Sequence, residues 1–331
     1  MAIYLALEEA LLVVGDDGAT DRRLTAHRPE CVLAHPGGEW VLCGTFDAGL
    51  HRSTDGGETF ERVGEGTIEQ SVTSLARNPH DASEVWVGTE PSRVYRSTDG
   101  GETFTERGGL LDLSSASSWS FPPRPDTHHV RWIEVDPADP ARLFVSIEAG
   151  ALLRTDDRGA TWADRVPTSR RDNHELATHP DAPGRAWAAA GDGYAETRDG
   201  GDSWDHPQEG LDHRYCWSVA VDPADPETVL LSAATGAYAA HGHRGVESAE
   251  SYLYRKRGGD SWERLDDRGV PTGDGVLRSV IRAGDAGGAF YAANNRGLYR
   301  TTDAGATWRE VAVEWDDADE RQAVRGLAIV E

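Results

Sequence analysis

The sequence predicts an all-β fold, a single seven-bladed β-propeller of four-stranded antiparallel blades that spans residues 1–331 as one domain, its ring closed by the C-terminal strand pairing with N-terminal strands. Three observations predict it. The octet STDGGETF stands at residues 53–60 and again, unchanged, at 97–104, with looser copies at 155–162 (TDDRGATW), 197–204 (TRDGGDSW), 255–262 (RKRGGDSW) and 301–308 (TTDAGATW). Phe60 and Phe104, which end the first two copies, lie 44 positions apart, and a period of that size suits a four-stranded blade. Around each copy run short stretches of aromatic and β-branched residues bounded by Gly, Asp and Pro, the pattern of antiparallel strands.

Each blade follows in order. Its first strand ends in a Pro turn, as in CVLAHP (31–36), SLARNP (74–79), WIEVDP (132–137), ELATHP (175–180) and SVAVDP (218–223). A second strand follows, such as EVWVGT (84–89) or RLFVSI (142–147); a third, such as VYRS (94–97), leads into the octet, and the fourth starts at its ring residue. SVIRAG (279–284) opens a sixth blade and GLAIVE (326–331) a seventh. Three further strands for that last blade come from the other end of the chain: IYLAL (3–7), ALLVV (10–14) and the segment after a worn copy, VGDDGATD at 14–21, which keeps Asp16, Gly18 and Thr20. Closure of this kind removes free sheet edges.

The repeated octet has a chemical purpose in a tight turn between third and fourth strands. Gly permits positive φ, while the short carboxylates of Asp55, Asp99, Asp157, Asp199 and Asp303 and the neighbouring hydroxyls can bond the local main chain. The rings that follow, Trp162, Trp204, Trp262 and Trp308 among them, are expected to be framework that anchors the hairpin. Calcium in these turns is disfavoured, because the twelve-position series of oxygen ligands of an EF-hand is missing.

This skeleton resembles the Asp-box, or bacterial-neuraminidase (BNR), repeat S-x-D-x-G-x-T-W, as in Ser53, Asp55, Gly57, Thr59 and Phe60. The chain as a whole looks like the WD40/YVTN/BNR-like propellers, which include sialidases, sortilin ectodomains, xyloglucan hydrolases and the photosystem II assembly factor. The resemblance implies the fold and a structural role for the boxes. For function it implies either a glycosidase or a binding scaffold.

Composition sets the surroundings. A formal charge of −24 argues against non-specific nucleic-acid binding. Lys256 is the sole lysine among abundant arginines, an imbalance expected of a high-salt cytoplasm or a GC-rich genome. LALEEALLVV is interrupted by Glu8 and Glu9, so neither export nor membrane insertion is expected and a cytoplasmic setting follows. Cys31, Cys43 and Cys216, odd in number and without metal-ligand spacing, read as free thiols. No cofactor is called for, and nothing in the sequence sets an oligomeric state.

Function is sought where the repeats cease to be equivalent. Two insertions, about 108–130 and 234–252, fall on the face that carries the second-to-third-strand loops and the blade crossings. The first is stiffened by Pro122, Pro123 and Pro125 and carries Trp119, Phe121, His128 and His129; it is expected either to plug the ring or to hold Trp119, His128 and His129 toward a ligand. The second carries His241, His243 and Arg244 and suits a lid or a tolerated surface insertion.

Aligning the first strands on their Pro turns gives a core column of Val32, Leu75, Ile133, Leu176, Val219, Val280 and Leu327. Two residues nearer the crossing loops stand Glu30, Thr73, Arg131, His174, Trp217, Arg278 and Arg325, a ring of side chains placed to reach the channel mouth. Arg131, Arg278 and Arg325 would hold a carboxylate, sulfate or phosphate, with His174 and Trp217 beside them. Glu90, Glu148 and Asp192 fall in loops on the same face and could neutralise them instead.

The expected function is therefore binding of a small anionic or carbohydrate-like ligand, or of a protein segment, at this mouth. The alternative is a sialidase-like or other glycan-cleaving enzyme, for which Glu90 and Glu148 are the candidate acids and Tyr215 the candidate nucleophile or donor. A transition metal would draw on His128, His129, His174, His213 and Glu148, although no close ligand motif joins them.

Overall fold

The structure, a computed structural model, describes residues 1–15 and 18–331, so Asp16 of the worn copy lies outside the described residues. Seven antiparallel sheets follow one another around a ring. Counted from the first complete blade, blade 1 spans Pro29–Val63, blade 2 Ser71–Glu106, blade 3 Val130–Thr155, blade 4 Asn173–Thr197, blade 5 Tyr215–Arg264 and blade 6 Val280–Val311. In blade 7 the strand Gly326–Val330 pairs with Ala2–Ala6, which continues to Leu11–Val14 and Thr20–Arg23; Ile3 faces Ile329 and Leu5 faces Leu327. The ring is closed by pairing of its two ends, as the repeat predicts.

Blades 3 and 4 depart from the regular pattern. Their fourth strands shrink to single bridges, Arg154 with Ala163 and Glu196 with Asp205. Pro167 and Pro207 come soon afterwards, and proline has no N–H to extend a ladder. In blade 5, Gly273–Asp274 adds a short extra strand against Glu250–Arg257.

The repeated turn is built alike in five blades. In the first, Gly57 N–H donates to Ser53 Oγ at 2.8 Å, Ser53 Oγ–H to Asp55 Oδ1 at 2.7 Å, and Thr59 donates its N–H and hydroxyl to the two Asp55 oxygens at 3.0 and 2.6 Å. Asp99, Asp157, Asp199 and Asp303 repeat the arrangement with their own partners. The residue after the Asp takes positive φ in each, and only Arg158 and Ala304 carry that geometry on a non-glycine residue.

These turns also staple neighbouring blades. Tyr4 donates to Gly56 O, Arg52 to Gly100 O, Arg154 to Gly200 O and Arg255 to Ala304 O, each reaching from one blade to the turn of the next at 2.7–3.0 Å. Trp204, Trp262 and Trp308 are buried behind their turns, and Trp162 is half-buried with its indole N–H donating to Gly108 O. Apolar side chains fill the spaces between sheets, as where Trp86, Val94, Ile133 and Val145 join blades 2 and 3. The three cysteines are free thiols; in the ladder Cys43 faces Val32 and Cys31 faces Gly44, one step out of register for a bridge. Among the described residues no helix is long and apolar enough to cross a membrane.

Candidate functional site at the channel mouth

The innermost strands enclose a central channel of about 450 Å³, lined at one end by Glu30, Thr73, Arg131 and Arg325 and further in by Ile133, Val135 and Arg282. Four of the seven residues of the predicted column line this channel; His174, Trp217 and Arg278 are buried beside it. Thr73 belongs to the framework there, because its hydroxyl donates to Val130 O at 2.7 Å.

Trp217 is the hub. The Arg278 guanidinium carbon lies 3.8 Å from its ring centroid and that of Arg131 4.6 Å, while the rings of His174 and His241 stand 4.5 and 4.9 Å away. Trp217 itself is buried, so it serves as a base plate for cations. The short helix Ala237–His241 of the second insertion covers this group: Ala240 O accepts Arg278 N–H, and His241 Nε2 pairs with Tyr215 Oη at 3.1 Å. Burial, together with the charge of Arg278, pushes His241 down to about 2, so the covering imidazole is neutral.

The three arginines are partnered unequally. Arg325 binds Glu8 at 2.8 Å and lies 3.6 Å from Glu30. Arg131 Nε lies 3.5 Å from Glu148. Arg278, 1 % exposed, donates Nη1 to Val324 O at 2.8 Å, and its buried Nε and Nη2 have no acceptor among the described residues. Burial pulls its pKa down to about 9, with repulsion from Arg325 and Arg131 adding to the effect. Glu30 responds oppositely: burial would raise it, but Arg325, Arg131 and Arg278 outweigh burial and hold it below the ordinary carboxylate range.

The first insertion folds over the neighbouring sector. Arg124 grips Glu90 with two bonds of 2.9 and 2.6 Å and stacks on Phe46 and Phe121. Beneath it His129 stands between two carboxylates, Nε2 at 2.9 Å from Glu148 and Nδ1 at 3.6 Å from Glu90, with Phe121 edge-on above it. Asp164 anchors the loop through Ser114 and Ser115, and Ser115 Oγ receives the Trp119 indole N–H at 3.0 Å. The structure therefore places Trp119 inside the apolar cluster of blades 2 and 3, not at the mouth, because this insertion builds its own core. His128 turns away from His129 and packs edge-on against Trp119 at 5.5 Å.

Glu148 is the best-connected carboxylate. Burial opposes its charge, yet the His129 hydrogen bond and the charges of His129 and Arg131 hold it well below the usual range. Tyr215 is pushed far up by burial and by Glu148 and Asp172. Of the residues considered for a metal, His129 and His174 both approach Glu148, at 2.9 and 3.8 Å, and Asp172 joins Glu148 on the His174 side. His213 lies apart, stacked on Tyr252 at 4.2 Å.

Asp172, Arg124 and the covering role of His241 were not singled out from sequence. One more step outward along the same register gives Arg28, Ser71, His129, Asp172, Tyr215, Val276 and Ala323, and that column contains Asp172.

Fold and mouth together define the chain as a seven-bladed β-propeller with a charged, covered loop face. No protein-family model matches the chain, and no curated protein sequence matches it. Solved structures do. It is similar to a GH74 enzyme of Niastella koreensis (TM-score 0.70, 14 % identity, covering 93 % of this chain and 52 % of that one). It is also similar to the GH74 xyloglucanase of Xanthomonas campestris (TM-score 0.63, 16 % identity, 91 % and 52 %). A third likeness is to YCF48 in a structure described as bound to D1 peptide (TM-score 0.58, 16 % identity, 86 % and 81 %). At these identities the likeness is one of fold, and the chain spans about half the length of the two GH74 structures.

Proposed function

We propose that this propeller binds a small ligand bearing a carboxylate or similar oxyanion at the channel mouth, with Arg278, Arg131 and Arg325 as its partners. One observation carries the reading: a fully buried arginine keeps two donors without an acceptor while two other arginines repel it. An unpaired buried cation is costly, and an entering oxyanion would supply the missing acceptors in the bidentate geometry that a guanidinium favours. Arg131 and Arg325 line the channel by which such a group would arrive.

The glycan-cleaving alternative has less support. It needs a carboxylic acid held protonated near neutrality, whereas Glu148, one of its two candidate acids, is held well below the usual carboxylate range. A second reading, in which the carboxylate belongs to a peptide segment, is favoured by the peptide-bound YCF48 among the structural neighbours.

Calorimetry with D-glucuronate, sialic acid, inorganic phosphate, an acidic peptide and neutral glucose tests the proposal, with product analysis run on parallel mixtures that contain a sialoside and a neutral β-glucan. Binding of an anionic member but not of glucose, without turnover, is expected. Equal binding of glucose, or no binding by any anion, would refute it, and release of a cleaved product from a glycoside would favour the enzyme.

A further inference from the structure

Beside the arginine mouth lies a second polar group with a different chemistry. His174 is fully buried, packed against Trp217 and Tyr215. Its Nδ1 lies 2.6 Å from the carbonyl of Cys216, and a carbonyl only accepts, so the ring proton sits on Nδ1. Nε2 is left with a lone pair and no hydrogen-bond partner. It faces Glu148 Oε1 at 3.8 Å and Asp172 Oδ2 at 3.9 Å.

Both carboxylates use one oxygen for the protein and turn the other inward. Glu148 Oε2 is engaged by His129 at 2.9 Å and approached by Arg131, which leaves Oε1. Asp172 Oδ1 accepts the Ala149 N–H at 2.9 Å, which leaves Oδ2. Three acceptor atoms, all within 4.8 Å of one another, thus converge with no donor between them. The backbone preserves this convergence: a Cβ on Gly191 would collide with Asp172 Oδ2, so the position holding that carboxylate in place carries no side chain.

We infer that Glu148, Asp172 and His174 bind a divalent transition-metal cation, Zn²⁺ or Mn²⁺, through Oε1, Oδ2 and Nε2. A cation resolves the facing acceptors, and its two charges balance the two carboxylates. An imidazole whose other nitrogen donates to a main-chain carbonyl is the usual arrangement of a metal-ligating histidine. One nitrogen and two oxygens form a donor set that suits Zn²⁺ and Mn²⁺ better than a thiolate-seeking ion, and three protein ligands leave positions for water. The separations of 3.8 and 3.9 Å are too long for a shared proton. They are wider than the roughly 3.3 Å between tetrahedral donors held at about 2.0–2.1 Å, so both carboxylates draw inward on binding, the part-exposed Asp172 most freely. Asp172 is also the solvent side of the group, hence the way in.

This inference does not depend on the anion reading, since it uses none of the three arginines as a ligand. The test is calorimetry of chelator-treated, full-length protein with ZnCl₂ and MnCl₂ separately, together with diffraction data collected at the metal edge. One equivalent of at least one ion per chain is expected, with an anomalous peak about 2.0–2.3 Å from His174 Nε2. Asp172→Asn and His174→Gln should each weaken binding by more than about tenfold. Should His174→Gln fail to fold, Asp172→Asn at its part-exposed site and Gly191→Ala, read by near-UV circular dichroism alongside the titration, carry the test. Absence of stoichiometric binding, an anomalous peak elsewhere, or an affinity unchanged in folded Asp172→Asn would overturn the assignment.

Discussion

The Arg278 guanidinium stacks on Trp217 at 3.8 Å from the ring centroid while its Nε and Nη2 remain without acceptors. The stack and the Val324 carbonyl fix where those two donors stand, and the price is a buried charge with no carboxylate within 4 Å among the described residues.

Replacing the charge should therefore separate stability from binding. Arg278→Met keeps length and apolar contact with Trp217 while removing the desolvated cation. We predict thermal stability unchanged or raised by up to about 2 kcal/mol, together with loss of anion binding. Paired thermal melts and calorimetry with D-glucuronate measure both; a variant that melts much earlier yet still binds would contradict the assignment.

The turn carboxylates predict a loss of stability in acid. Asp99, Asp157 and Asp199 are held down to about 2: turn hydroxyls and N–H groups outweigh a burial effect that is largest at Asp99. Folded pKa values below the unfolded ones give stability that is present above the ordinary Asp range and is lost as pH falls from about 4 through 2. Asp99→Ala should cost about 2 kcal/mol at pH 7 and less at pH 2. Urea denaturation at the two pH values reads the difference.

Glu134 has the opposite sign. It is half-buried beside Thr178 and Trp132, and desolvation, with Glu175 adding repulsion, raises it to about 7 despite three hydrogen bonds. A raised folded pKa means that stability falls as pH rises from about 4.5 to 7, by on the order of 3 kcal/mol. Glu134→Gln should abolish that component, and denaturation midpoints from pH 5 to 8 for both proteins show whether it does.

Gly88 tests how closely the blades pack. A Cβ there would run into Val130 Cγ1 of blade 3 and meet Ser74 Cβ at 3.2 Å. Gly88→Ala should destabilise by about 1–3 kcal/mol through overpacking, and adding Val130→Ala should restore part of the loss. A double-mutant cycle with no coupling would mean that the blades separate easily at this point.

Much of this was legible in the sequence because the fold is periodic. STDGGETF and its copies locate the third-to-fourth-strand turns, and counting from the Pro turns brings Arg131, His174 and Arg278 around Trp217, with Arg131 and Arg325 lining the channel beside them, since equivalent strand positions in a ring share a level. What lay in the insertions was not legible. Trp119 joined a core that the crossing loop builds for itself, and the helix that lowers His241 onto Trp217 has no counterpart in another blade. The fourth strands of blades 3 and 4 were read as full strands, yet pairing there ends after one bridge, before the prolines that follow. Asp172 escaped notice because its partners, Glu148 and His174, belong to different strands and approach only through the ring's curvature.

The central claim is that the unpaired face of Arg278 receives an oxyanion. Its most direct measurement is a crystal structure of the full chain grown with D-glucuronate, paired with one of Arg278→Met under the same conditions. The account predicts carboxylate density within about 3 Å of Arg278 Nε or Nη2 in the first structure and none there in the second. Ligand density bound elsewhere, or identical density in both, would contradict it.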